Sequence, residues 1–525
     1  MSGTVGDGWR PKANPWLIAV VVTVAAFMEV LDTTIVNVSL PHIAGSLSSS
    51  YDDATWALTS YLVANGIVLT ISGWLSDVLG RKRYFMICIV MFTVCSLLCG
   101  TSTTLPELII FRLLQGFFGG GLQPNQQSII LDTFEPAQRG KAMSVVALAT
   151  IVAPIIGPTL GGYITDNLSW RWIFFINVPI GIMGVFGVAA LVEDPPWVKE
   201  RRSKGIDYIG IGLITMGLGC LQVALDRGED SDWLGSPFIR VMLLLAFLGI
   251  LGAIGWLLTT KDPVVNLRVM GDRNFALGVM MIVFMAGILY SSAVVIPQFA
   301  QQVIGYNATL AGLILSPGGV VIILLIPIVT RILSIVPTRY LIGFGFTLMG
   351  FALVFSSKLT PDVDFTHMAL LRASQTAGLA FMFVPISTIA YSTLPREMNG
   401  DAAALYTMFR NVAGSVGISG ATALITSRTQ IREAYLSRWM TPLNQPYDTL
   451  LQHTEAALVS MGHPAASVQS TATGLIYQTF RTQASVQAYC DVFTFCAIGA
   501  FAVVPFTFLF SNYKPGAGAT RPAAH

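Results

Sequence analysis

Charge is scarce in this sequence. Asp, Glu, Lys and Arg make up 11% of its 525 residues, against roughly 25% in soluble domains, so the chain cannot cover a water-facing surface. Histidine is scarcer still: His42, His367, His453, His463 and His525 are scattered, with no H-E-x-x-H or other zinc-ligand spacing. No G-x-x-x-x-G-K-[ST] phosphate loop occurs, which excludes that manner of using ATP. The six cysteines sit inside apolar runs without a C-x-x-C spacing, so they read as small core residues and not as a disulfide framework. A net charge of +2 points to no nucleic-acid partner. What the chain does have is apolar length: 54% of its residues are hydrophobic and its mean hydropathy is +0.67.

A helix needs roughly 17–25 apolar residues to cross a bilayer. Fourteen stretches qualify: 15–42, 55–79, 83–101, 105–130, 138–165, 171–192, 206–225, 238–260, 275–302, 309–334, 339–356, 366–394, 400–427 and 487–511. They are too long for barrel strands and lack period-two alternation, so the expected class is an all-α membrane protein. Arg10 and Lys12 precede the first stretch, which has no small-residue cleavage site; a retained helix is expected there, not a signal peptide. An even number of spans places both termini on one side. With that side cytoplasmic, 19 of the 30 basic residues fall on the inside and 8 outside, as the positive-inside rule requires.

Separations near 260 residues recur. Arg372 follows Arg112 by 260, Gln375 follows Gln115 by 260, Arg339 follows Arg81 by 258, and Pro395 follows Pro136 by 259. The stretch from Gly73 through Asp77 and Gly80 to Arg83 has a degenerate partner at 330–340. Two related six-helix halves follow, 1–200 and 266–525, with a helix pair at 201–265 inserted as a brace. A duplicated membrane bundle with a site between its halves is the arrangement of a secondary transporter. Residues 429–486 form the one long hydrophilic segment, outside the membrane, with Thr454–Leu458 locally helical.

Intramembrane charge is costly and marks function. Glu29 and Asp32 are three residues apart on the first helix and so share a face. Glu29 lies 13 residues after Trp16, about 20 Å into the span. Two such carboxylates on one face should not both ionise easily, which suits a proton carrier. Arg112 is the natural counter-charge for either, since guanidinium can clamp a carboxylate. Arg372 and Arg410 are equally deep, with no obvious acidic partner within their own helices. The first and fourth helices of each half offer Phe27, Gln115, Phe118, Tyr290, Gln298, Gln301, Arg372, Gln375 and Phe381 as candidate cavity residues. On the fifth helix Gly157 and Gly161 stand four apart, next to Pro158 and Gly162, a pattern for close approach and bending. Asp77 and Arg81, in the first short loop, are candidate gate contacts.

Several of these stretches resemble a known family. Leu31-Asp32-Thr33-Thr34-Ile35-Val36-Asn37-Val38-Ser39-Leu40-Pro41 resembles the first-helix motif of fourteen-helix drug/proton antiporters of the major facilitator superfamily. Gly73 to Arg83, Arg112 to Gly116 and Gly157 to Gly162 resemble its loop, fourth-helix and antiporter motifs. Trp170 to Gly181 and Leu225 to Trp233 resemble the EmrB-type branch. The resemblance implies proton-driven export of lipophilic toxic compounds from the bacterial inner membrane, with no cofactor. It also implies partners: a periplasmic adaptor of the EmrA type and an outer-membrane channel of the TolC type. It makes Asp32 the motif acid and Arg112 the motif arginine. Glu29 lies outside the motif, where EmrB-type chains tend to carry a neutral polar residue. A nutrient symporter or facilitator is the rival reading, and a membrane sensor or enzyme a more distant one, without a catalytic constellation to support it.

Overall fold

The computed structural model describes residues 11–135, 138–195, 206–441 and 443–511. The expected boundary at 200/201, Pro136, and the basic residues Arg10, Lys199, Arg201, Arg202, Lys204, Lys514 and Arg521 lie outside the described residues. Among these the regular structure is helical, with no β-strand. In chain order the helices are α1 (Pro15–Ser46), α2 (Trp56–Leu79), α3 (Arg81–Thr101), α4 (Leu105–Thr133), α5 (Arg139–Asn167), α6 (Trp172–Leu191), α7 (Tyr208–Arg227) and α8 (Pro237–Thr259). They continue as α9 (Arg273–Ile304), α10 (Thr309–Ile332), α11 (Thr338–Ser356), α12 (Phe365–Ala390), α13 (Asn399–Ser437), α14 (Gln445–Ser460) and α15 (Ala465–Val503).

Local chemistry sets the helix starts. Asn14 accepts a hydrogen bond from Trp16 N at 2.9 Å ahead of Pro15, and Thr104 and Glu107 form a reciprocal capping box at α4. Asp272 and Asp364 cap α9 and α12 in the same way. Between α2 and α3 the chain turns at Gly80, whose φ of +88° a side chain would strain.

Among the described residues, twelve helices are long and apolar enough to cross a membrane, and α5, bent by 42° beside Pro154, makes a thirteenth. The expected span 400–427 lies in α13, which is long enough at 39 residues but too polar to qualify by composition. Its polar residues Asn399, Asp401, Thr407 and Arg410 are buried against other helices.

The packing repeats along the chain. In the first six helices α1 packs on α5 and α6, α2 on α4, and α3 on α4 and α6; later α9 packs on α13 and α15, α10 on α12, and α11 on α12 and α15. The two sets meet where α2 and the second part of α4 touch α13, and where α5 touches α10 and α12. At Gly73 a Cβ would sit 3.0 Å from the Gly400 carbonyl, so the α2–α13 crossing requires the missing side chain. The hairpin α7–α8 packs against α2 and, through Gln222–Ser415 (3.1 Å), against α13. Its position is peripheral.

The hydrophilic segment corrects the sequence reading. Residues 429–486 are mostly helix: α13 continues to Ser437, α15 begins at Ala465, and α14 packs on α15, Leu451 and Leu458 against Val468 and Ala472. Pro442 lies outside the described residues. Arg432 bonds Asp491 at 2.6 Å and Arg481 approaches Glu433 at 3.3 Å, tying α13 to α15 along this projection. Hydropathy marks where a helix leaves the bilayer, not where it ends.

Candidate functional site

Asp32 is fully buried in the middle of α1 and its carboxylate is fully bonded. Arg112 Nη1 donates to Oδ2 at 2.6 Å, while Gln115 Nε2 and Asn177 Nδ2 donate to Oδ1 at 3.0 and 2.8 Å. Arg112 Nη1 also reaches Gln115 Oε1 at 2.9 Å, and Arg112 Nε bonds the Ala57 carbonyl. The guanidinium lies 4.0 Å from the Tyr61 ring centroid. This buried pair ties α1 to α4 and, through Asn177, to α6. The carboxylate balances the buried Arg112 guanidinium, and a proton arriving there would remove the charge that binds the three helices.

The second set repeats the site without its acid. Ser292 stands 260 residues after Asp32. Arg372 Nη1 donates to Ser292 Oγ at 2.8 Å and to Gln375 Oε1 at 3.4 Å, and Gln375 donates to Ser356 Oγ at 2.9 Å. The same i, i+3 Arg–Gln unit therefore exists on α4 and α12, but among the described residues only the first is bonded to a carboxylate.

Glu29 does not share the Asp32 site. Although the two are one helical turn apart, Glu29 turns to Tyr61 Oη (3.3 Å), Asn65 Nδ2 (3.0 Å) and Gln123 Nε2. Tyr61 stands between the carboxylates, its hydroxyl on one and its ring on the counter-ion of the other. The expected pair of carboxylates sharing one site is thus two separate sites, each with its own donors. Asn65, Gln123 and Asn177 were not among the sequence candidates. The signal available was an amide inside an apolar helix, which has to find a buried partner.

The cavity candidates do not all converge. Gln115, Arg372 and Gln375 are buried and spend their polar groups within their own helix sets. Phe381 packs edge-on against Phe344 of α11, which is 53% exposed. Phe27 packs into an apolar cluster built by the first six helices, and Phe118 packs against the main core. Gln301 is exposed in a π-helical turn, and Gln298 is half-buried with Oε1 unpartnered. Tyr290 stacks its ring over Gly414 of α13. Nearby, an apolar groove of about 420 Å³ runs between α9, α13 and α15, lined by Phe284, Gly287, Val416, Gly420, Phe495 and Cys496.

The loop residues form a second constellation. Arg81 is buried in an ion pair with Asp132 and donates to the Ser128 carbonyl at 3.1 Å. Asp132 also accepts from Asn399 Nδ2 at 3.0 Å, across to the start of α13. Asp77 is 3% exposed, and a Cβ on Gly400 would lie 3.8 Å from its Oδ1 and from Arg81 Nη2. Gly73, Asp77 and Arg81 thus meet the opposite helix set at one end of the bundle, and Gly80 makes the turn that joins them.

On α5, Gly157 faces Thr34 and Gly161 faces the Ile35 carbonyl at 3.0 Å from an added Cβ, while Gly162 has room and Pro158 is half-buried. A methyl at Gly157 overlaps Thr34 of α1. Gly157→Ala is expected to destabilise the protein by about 1–3 kcal/mol through overpacking, read as a lower thermal transition in detergent. Thr34→Ala in the same chain should recover most of that loss.

The Major Facilitator Superfamily profile matches residues 22–418. The multidrug export protein EmrB of Escherichia coli (strain K12) is 35% identical over 510 residues, covering 97% of this chain and 98% of that protein. EmrB of Haemophilus influenzae is 37% identical over 429 residues, 82% and 84% of the two chains. The fatty acid resistance protein FarB of Neisseria gonorrhoeae is 32% identical over 485 residues, 92% and 94%. Among solved structures, a double-Trp mutant of XylE superposes with a TM-score of 0.56 at 15% identity, covering 94% and 96%, a likeness of fold alone. With nearly its whole length aligned to the EmrB proteins, and a helix set that packs twice in the same pattern, the chain belongs to the major facilitator superfamily and, within it, to the EmrB group.

Proposed function

We propose that this protein is a proton-driven multidrug efflux transporter of the bacterial inner membrane, a carrier and not an enzyme. One observation carries the proton-coupled part: a buried carboxylate, Asp32, held by Arg112, Gln115 and Asn177 between three helices of one half. A proton on Asp32 replaces a charge-assisted contact with a weaker neutral one and loosens α1 from α4 and α6. The EmrB relatives at 35–37% identity support the export of drugs. The apolar groove at α9, α13 and α15 supports lipophilic guests.

In this reading residues 1–200 and 266–525 are the moving halves, 201–265 is a brace, and both termini are cytoplasmic. The gate is the Gly73–Arg81 constellation, and the bend of α5 beside Pro154, with the Gly157–Gly162 stretch that follows, serves the exchange of proton for drug. The projection of α13, α14 and α15 then lies in the periplasm, placed to meet an adaptor that leads to an outer-membrane channel.

Everted membrane vesicles containing the protein test this. An imposed pH gradient, acid inside, should drive a lipophilic fluorescent drug into the vesicles, and collapse of the gradient should release it. Drug movement that ignores the gradient overturns proton coupling.

A further inference from the structure

Glu29 and Arg410 belong to opposite halves and do not touch. Between them stands one amide. Gln123 Nε2 donates to Glu29 Oε2, and Arg410 Nη2 donates to Gln123 Oε1. An amide placed between an anion and a cation has one favourable orientation, N–H toward the carboxylate and C=O toward the guanidinium. Flipping it sets donor against donor and oxygen against oxygen. Arg410 is 1% exposed, its Nε and Nη1 have no partner, and its other contact is Asn411 Oδ1 at 3.5 Å. It has no carboxylate partner among the described residues, so Gln123 is its main anchor.

Gln123 sits on the part of α4 that forms the seam. One turn on, Gln127 Oε1 accepts from Tyr391 Oη at 3.1 Å and Thr407 Oγ1 at 3.4 Å, and Asp132 follows with Asn399. The groups that face Glu29 are Tyr61 and Asn65 of α2, Gln123 of α4, Tyr290 of α9 and Arg410 of α13. Asp32, paired with Arg112 of α4, lies one turn along α1.

We propose that Gln123 is a positioning residue that transmits the charge of Glu29 to Arg410, so that ionised Glu29 holds the two halves together and its protonation releases them. A proton from the aqueous phase adds to one Glu29 oxygen; no other bond is made or broken. With the carboxylate neutral, the amide loses its orienting anion and Arg410 keeps a buried positive charge with weakened support. The seam at the Asp77–Gly400 end then loses a contact about 15 Å, some ten residues, away from it along α13. The inference rests on the proton-coupled reading, and it adds to Asp32 a second proton-sensitive element that acts between the halves.

The test uses the full chain in nanodiscs, in an Asp32→Asn background that removes the other carboxylate of α1. Spin labels go on Lys141→Cys and Ser334→Cys, exposed positions beside the Gly140–Leu333 contact across the seam. The labels should lie close at high pH and separate at low pH. Glu29→Gln and Gln123→Met should each shift the closed-to-open ratio at high pH by roughly tenfold or more, as loss of a hydrogen bond to a charged group would, and flatten the titration. Glu29→Gln combined with Gln123→Glu moves the carboxylate next to Arg410 and should restore a pH-dependent distance. A Gln123→Met chain that titrates like its parent, or a double variant that stays flat, overturns the inference. If the distances titrate as expected but vesicles show no gradient-driven efflux, the link stands and the proton-coupled function fails.

Discussion

Replacing Asp32 with Asn should reduce pH-gradient-driven efflux to background. Asn keeps the volume of the side chain but carries no titratable proton. Arg112 would face a neutral amide in place of the carboxylate now 2.6 Å away. The buried guanidinium then stays charged with its counter-ion gone, and breaking such a pair costs about 3–5 kcal/mol. Two donors, Gln115 and Asn177, now converge on Oδ1, so the amide of Asn can satisfy them only by presenting its oxygen there. Its NH2 group would then point at Arg112. The variant is therefore expected to be less stable and to favour a loosened α1–α4 contact irrespective of pH. The decisive comparison is between transport modes. Energised efflux should be lost, while drug binding in detergent, and exchange of labelled for unlabelled drug at equal pH, should remain measurable. Full energised efflux by Asp32→Asn would remove this residue from the coupling mechanism. Loss of binding as well would show damage to the fold, and Asp32→Glu, which keeps the charge, separates that case by retaining gradient dependence.

Much of the fold was legible because the bilayer writes it into composition. The expected spans 55–79, 83–101 and 339–356 differ from α2, α3 and α11 by at most two residues at either end, since apolar length is what a membrane selects. Polar helix is another matter. α13 and α15 run beyond their apolar windows, held by Arg432–Asp491 and by packing on α14, neither of which hydropathy records.

The site was legible in depth but not in rotation. Spacing placed Glu29 and Asp32 on one face and Arg112 at their level, and the Arg112–Asp32 bond is there. Which neighbour each carboxylate would turn to depended on α2 and α4, through Tyr61, Asn65 and Gln123, residues without charge. For the same reason Phe381 was placed by sequence with the cavity candidates and is found against Phe344. A helix position gives the height of a side chain in the membrane; only the packed partners give its azimuth.

Excising the connection between α13 and α15 should separate transport from resistance. Residues 438–464 join α13 to α15 and include α14, whose contacts are made with α15. The ties between the long helices, Arg432–Asp491 and Arg481–Glu433, lie outside the excised stretch. A short Gly/Ser linker in its place therefore removes α14 while the base of the projection stays closed. α15 then exposes Val468 and Ala472, now covered by Leu458 and Leu451. That is a small apolar patch at the tip, so the membrane-embedded part should keep its stability. Gradient-driven drug uptake into everted vesicles, which needs no partner, is expected to continue at close to the native rate. Cells carrying the shortened chain should lose most of their drug resistance, and crosslinking of the projection to a periplasmic adaptor should disappear. The reason is geometric. A connector between antiparallel helices needs only a few residues, whereas this one builds a helix and lengthens two others by several turns, at the entropic cost of ordering all of them. Resistance and crosslinking that survive the excision would place adaptor binding on another surface. Lost vesicle transport would instead tie α14 to the cycle of the carrier itself.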